Sequence, residues 1–235
     1  MPTGDLGQNY LFVDDVLRRA GVDLWGAGAN APVGEHAPDL PLAVSLIVRI
    51  DGPALVRLEQ GDATNYRAEY RRLNGVLDAA VTALVAALRQ DGHEAVGAAA
   101  TIYSELPESG DWLAAGVFAH KTAATRAGLG WIGKTGLFVS PEAGPKVRLA
   151  TVFTDLPLDL GAPVTEGRCG SCRRCIDACP AAAGRDVAWQ AGMARELLFD
   201  AAACAAHMET LGPTAASHTC GLCVAACPFG RPRAT

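Results

Sequence analysis

The chain has 235 residues, half of them apolar, with a formal charge of -5. That length and composition allow one good core plus a smaller appendage. No run of eighteen or more apolar residues exists, which excludes a helical membrane span, and the mild acidity argues against broad nucleic-acid affinity, which depends on clustered Lys and Arg.

Met1 to Gln8 has neither a basic n-region nor a twin-Arg signal, so the expected location is cytoplasmic. Tyr10 to Ala20 reads as a first amphipathic helix. Val22-Asp23-Leu24-Trp25 then runs into a Gly and Ala turn, and Ala43 to Ile50 reads as a buried strand. Tyr66, Tyr70, Leu73, Leu77, Val81, Leu84 and Leu88 step by three or four, which at roughly 100° per residue is one helix stripe. On that stripe both tyrosines are core residues. Gly92 ends the helix, and His93 to Thr101 reads as another strand. Phe118 to Arg126 is expected to be helical, Leu137 to Ser140 extended, and Val147 to Thr154 a strand. The fold class that follows is α+β. The expected organisation is an α+β cofactor or substrate domain over 1–156, a Pro- and Gly-containing linker over 157–167 and a cysteine-rich domain over 168–235.

All eight cysteines lie in that last part, in two runs: Cys169-x2-Cys172-x2-Cys175-x3-Cys179-Pro180 and Cys220-x2-Cys223-x3-Cys227-Pro228, with Cys204 between them. This is the spacing of a two-cluster bacterial ferredoxin, in which the Cys before the proline crosses to the other cube. By that logic Cys169, Cys172, Cys175 and Cys227 hold one [4Fe-4S] cluster. Cys179, Cys220 and Cys223 hold the second, and Cys204 is the thiol left to complete it. Two zinc sites or disulfides are the alternatives. With eight thiols available, His207 and His218 are superfluous as ligands. From Arg168 onward there are seven Arg, no Lys and five acidic residues, a balance suited to offsetting anionic clusters or simply to a solvated surface.

Ala127-Gly128-Leu129-Gly130-Trp131-Ile132-Gly133-Lys134 packs three glycines, a tryptophan and a lysine into eight residues. Its Gly-x-Gly-x-x-Gly invites a dinucleotide reading, but that fingerprint follows a strand and opens a helix. Here the order is reversed, and the reading is rejected. Glycines in such a loop let backbone approach a ligand closely.

Taken with the cysteines, the span from His120 to Pro228 resembles the epoxyqueuosine reductase family. The resemblance runs through Arg126-Ala127-Gly128-Leu129-Gly130-Trp131-Ile132-Gly133-Lys134, Thr154-Asp155-Leu156, the first cysteine run, the lone Cys204 and the second run. It implies a nitroreductase-like α/β sandwich followed by a ferredoxin-like domain with two [4Fe-4S] clusters, as also in the related corrinoid reductive dehalogenases. It also implies base-off cobalamin between the two, with electrons passing through the clusters to cobalt. The corrin would lie against 127–135, making Gly128, Leu129, Gly130, Trp131, Gly133 and Lys134 cofactor-binding. Flavin is the lesser alternative, without a flavin-specific phosphate motif. The electron donor would be an external ferredoxin or flavodoxin.

Two departures stand out. In that family an Asp before the helix donates a proton above the cobalt, followed by a Pro and a Glu-Arg pair. Register counted back from Trp131 puts Ala114 at the Asp and His120-Lys121 at the pair, with Asp111 three residues off. Asp111 would be a relocated acid or a plain helix N-cap. The family's C-terminal helical repeat, which helps hold tRNA, is not present in the seven residues after Pro228. With the acidic charge, this sets the expectation of a small-molecule substrate rather than tRNA. The candidate catalytic groups are His120, Tyr103, Asp111 and Lys121, able to deliver a proton or stabilise a developing anion. Three readings remain open: a cobalamin-dependent reductase, an electron-transfer protein serving a partner, and an epoxyqueuosine reductase with a relocated acid.

Overall fold

Helix α1 (Leu6–Arg19) starts at Asp5, whose carboxylate accepts the Gly7 N–H at 3.0 Å, and ends with Arg18 and Arg19 in the last turn. Both ends suit the helix dipole. Val13 and Leu17, four residues apart on one face, are fully buried. The computed structural model describes residues 5–30, 38–59, 62–98, 100, 119–211 and 219–230.

Strand β1 (Leu24–Ala29) pairs antiparallel with β2 (Leu42–Arg49), Leu24 opposite Ile47 and Ala29 opposite Leu42. Here the expected turn is corrected: Trp25-Gly26-Ala27-Gly28-Ala29 is extended. Glycine weakens a strand but admits close backbone approach. A Cβ on Gly28 would stand 2.8 Å from the Ala127 nitrogen and the Arg126 carbonyl carbon. Strand β3 (Ala95–Ala98) pairs antiparallel with β6 (Val147–Thr154), and the sheet order is β1-β2-β6-β3. The interior positions of β2 and β6 explain their nearly continuous burial.

Helix α2 (Gly52–Glu59) was not expected; Pro53 in its first turn was the available signal. Helix α3 (Thr64–Gln90) carries the expected stripe, with Tyr66, Leu73, Leu77, Val81, Leu84 and Leu88 buried and Tyr70 half-buried. Gly92, in the left-handed region at φ 89°, closes it. Helix α4 (His120–Arg126) leads into the glycine loop, and β4 (Trp131–Ile132) pairs antiparallel with β5 (Phe138–Val139). The loop thus follows a helix and enters a strand. Short helices α5 (Arg174–Asp177), α6 (Ala201–Glu209) and α7 (Leu222–Ala225) follow, with one 3-10 turn at Arg195–Leu197. Among the described residues, no helix is long and apolar enough to cross a membrane.

The chain divides into two compact units that do not follow the linear order expected of it. One comprises Met1–Val48, Leu73–Leu129 and Arg148–Val164; the other comprises Arg49–Arg72, Gly130–Val147 and Thr165–Thr235. The first has its core in Val13, Leu17, Leu46, Ile47, Leu77, Leu84 and Phe153. The second unit, which holds every cysteine, is built around Leu58, Trp131, Phe138, Leu198 and Val224. A single boundary at 157–167 does not describe this interleaving, because composition along the chain does not register which distant stretches pack together.

Candidate metal centre

Each cysteine run folds as a tight turn entering one turn of helix. The Cys172 N–H donates to the Cys169 carbonyl at 3.2 Å, and α5 then carries Cys175. In the second run Gly221 takes φ 78° at the start of α7, which carries Cys223, while Cys204 sits on α6 behind its Asp200 cap. All eight cysteines are unbridged in this structure.

Burial raises the Cys175 thiol to about 11, and neighbouring Cys227, Cys169 and Cys172 push it the same way. Cys227 is raised by burial and by Cys169 and Cys172, against the lowering effect of the Phe229 N–H and Lys146. Cys204 is raised by burial, then by Cys179 and Cys220. Cys223 rises to about 12, again chiefly by burial, with Cys220, Cys175, Cys204 and Cys179 as its electrostatic neighbours. Two sets of four emerge, 169/172/175/227 and 179/204/220/223, meeting through the pair Cys175 and Cys223. Buried neutral thiols must lose protons when iron arrives, so loading releases protons. Among the described residues, no group of three His, Cys, Asp or Glu converges as ligands of one metal ion would.

The sulfurs are also supplied with donors. The Ala183 N–H points at Cys179 Sγ at 3.5 Å, and the Phe229 N–H at the Cys227 sulfur. Backbone N–H groups on sulfur favour an anionic cluster, so the residues present fit iron-sulfur cubes.

The glycine loop is placed in two parts. Gly128 is exposed and Leu129 half-buried in the first unit, whereas Gly130, Trp131, Gly133 and Lys134 are buried in the second. Trp131 stands edge-on to Phe229 with ring centroids 4.9 Å apart, and the Arg168 guanidinium lies 5.9 Å from the indole centroid. A Cβ on Gly133 would be 3.7 Å from Cys169 Sγ. Gly133 therefore lies beside Cys169, the first member of the first cysteine run. Lys134 Nζ donates to Asp186 Oδ1 at 2.8 Å, and Arg173 closes on the other oxygen. One feature suits a bound group with an acceptor: the Trp131 Nε1–H is buried without a hydrogen-bond partner.

In the first unit His120 Nδ1 lies 2.9 Å from Thr151 Oγ1 of β6. Lys121 follows it in the first turn of α4, about 100° around the helix axis. Tyr103, Asp111 and Ala114 lie outside the described residues. Sequence reasoning passed over Asp186 and Lys146, which spacing does not mark. The only hint at Lys146 was its rarity, one of three lysines, set between a proline and an apolar strand.

The fold is the mixed α/β fold also seen in a catabolic reductive dehalogenase. Its structure matches with a TM-score of 0.75 at 22% identity over 97% of this chain and 33% of that one. A selenomethionine-labelled epoxyqueuosine reductase matches at 0.61, 19% identical over 96% of this chain and 66% of that one. By sequence the chain is similar to epoxyqueuosine reductases. It is 46% identical to the Lactococcus garvieae enzyme over 65 residues, 28% of this chain and 18% of that one. With the Gloeobacter violaceus enzyme it is 31% identical over 162 residues, 61% and 48% of the two chains. The tetrachloroethene reductive dehalogenase of Sulfurospirillum multivorans is 35% identical over 118 residues, 45% of this chain and 22% of that one. The chain therefore spans less than half the length of these curated relatives. No protein-family model matches it.

Proposed function

We propose that the chain is an oxidoreductase in which two [4Fe-4S] clusters, held by 169/172/175/227 and 179/204/220/223, pass electrons to a corrinoid that reduces a small-molecule substrate. The observation that carries this is the pairing of the eight thiols into two neighbouring sets. The finer architecture proposed is a nitroreductase-like layer joined to a ferredoxin-like cysteine unit. One similar structure is described as bearing on B12-dependent dehalogenation, which supports the choice of cofactor.

When bound, the corrinoid would supply a cobalt centre able to take electrons one at a time. Gly128, Leu129, Gly130, Trp131, Gly133 and Lys134 are the loop residues proposed to contribute to holding it, and the buried Trp131 Nε1–H lacks an acceptor. His120, whose Nδ1 lies 2.9 Å from Thr151 Oγ1, is proposed to take part in proton transfer; Lys121 is proposed to face a developing anion, and Tyr103 or Asp111 to share the proton-donor role. Electrons would come from a low-potential protein such as a ferredoxin or flavodoxin. Anaerobic reconstitution is expected to load about eight irons per chain. Added cobalamin is then expected to bind one per chain with a base-off spectrum; a loaded protein that retains no corrinoid overturns the cofactor assignment.

The commitment of Lys134 to Asp186, and the burial of Gly130, Trp131 and Gly133, favour a second reading as an electron carrier serving a partner's acceptor. A third, epoxyqueuosine reduction on tRNA, stays open. One similar structure holds an epoxyqueuosine-modified tRNA stem loop, and nothing in the relatives supports excluding tRNA. Complementation of a queuosine-deficient strain decides this, and normal activity of Asp111→Asn would remove Asp111 as the acid.

A further inference from the structure

Lys146 is buried, and its Nζ donates to the Cys227 carbonyl at 3.2 Å and the Phe229 carbonyl at 3.0 Å. Cys227 is the crossing thiol of the first set, so this ammonium stands behind the ligand that closes that cube. The segment carrying it is a self-bonded turn. Ser140 and Gly144 exchange N–H to carbonyl bonds at 2.9 Å, Ser140 Oγ accepts the Glu142 and Ala143 N–H groups, and the Ile50 N–H holds the Lys146 carbonyl at 2.9 Å.

The turn lies directly on the ligand segment. Gly144, at φ 62°, has the Phe229 carbonyl where a Cβ would be, and Gly230, at φ 73°, has the Ala143 backbone there. Any side chain at either position would part the two strands of backbone. The stretch Ser140 to Lys146 is thus a clasp closed over Cys227-Pro228-Phe229-Gly230.

We infer that Lys146 is a positioning residue that fixes the crossing ligand Cys227 and, by its charge, raises the reduction potential of the cluster held by Cys169, Cys172, Cys175 and Cys227. This rests on the cluster reading above. The physical ground is that one-electron reduction adds a negative charge to an already anionic centre, and net charge and hydrogen bonds at the sulfurs set such potentials. A cation in a poorly solvated site stabilises the reduced form more than it would in water. The electron comes from the external low-potential donor, no protein bond changes, and Lys146 gives up no proton.

The second cluster, with its own four thiols, is an internal control. In the anaerobically reconstituted full chain, titrated with dithionite and followed by paramagnetic resonance, Lys146→Met is expected to lower one of the two potentials. The expected size is about a tenfold change in the reduction equilibrium, or about 59 mV, with the other potential unmoved. Lys146→Arg keeps the charge and is expected to restore most of the shift. If Lys146→Met loses half its iron, Lys146→Gln, a neutral side chain one atom shorter that keeps an N–H donor, reports the charge effect by the same titration. Unchanged potentials in loaded charge-free variants, or equal shifts of both clusters, overturn the inference. A wild-type chain that takes up no iron overturns the cluster reading instead, and the two failures are distinct.

Discussion

Lys134 and Asp186 meet across 52 positions of sequence, the lysine side chain 7% exposed and the carboxylate 30%. Asp186 itself sits at φ 56°, a left-handed conformation that Asp and Asn tolerate better than most residues. Its carboxyl is held below the ordinary range, first by the hydrogen bond from Lys134 and then by the charges of Lys134 and Arg173. A depressed carboxyl contributes stability that is present above its unfolded value, about 3.9, and lost as pH falls through the folded one. Asp186→Asn preserves the backbone but removes that contribution. Its melting temperature at neutral pH is expected to fall, and its decline on acidification to be shallower than in the wild type. Lys134→Met is expected to cost less at neutral pH, since Arg173 still covers the carboxylate; equal losses from the two variants would show that no charge is stranded. The two cysteine runs were legible in the sequence because their members recur at short, fixed intervals. This ion pair was not, because a salt bridge imposes no spacing on its partners.

At the scale of elements, the long helix α3 and the strands β2 and β6 were readable from periodicity and apolar runs, since each buries one stripe or both faces. Strand β1 was misread because its glycines serve a neighbour. Gly28 is placed for the backbone of Ala127, information held in the α4 turn a hundred residues later. Gly28→Ala is therefore expected to cost about 1–3 kcal/mol by overpacking. Gly75, on α3 with nothing within 4 Å of where its Cβ would stand, is the converse. Gly75→Ala is expected to stabilise by about 0.5–1 kcal/mol. Urea midpoints of the two variants check both signs, and a destabilised Gly75→Ala would mean that the helix surface there is not free.

For the whole molecule, the position of Cys204 decides whether the second set is complete. On α6 it neighbours Cys179 and Cys220, which a stray thiol would have no reason to do. Cys204→Ala is expected to reduce bound iron to roughly half while leaving the first cluster's signal intact, checked by iron analysis and paramagnetic resonance. Full iron content would assign the fourth ligand elsewhere. The domain order was the least legible feature, because sequence is linear and the cysteine unit is not. Arg49–Arg72 supplies Leu58 and Tyr66, against which Gly221 packs, and Gly130–Val147 supplies Trp131 and Lys146.

That interleaving bears on how such a protein can be taken apart. A ferredoxin module joined end to end with another domain can be cut at one junction and exchanged as a cassette. Here residues 168–235 alone would leave behind the indole that faces Phe229, the lysine that holds Cys227 and the helix under Gly221. A transplant of the cysteine unit would have to bring three separate pieces of chain, Arg49–Arg72, Gly130–Val147 and Thr165–Thr235, so it cannot be moved by a single cut.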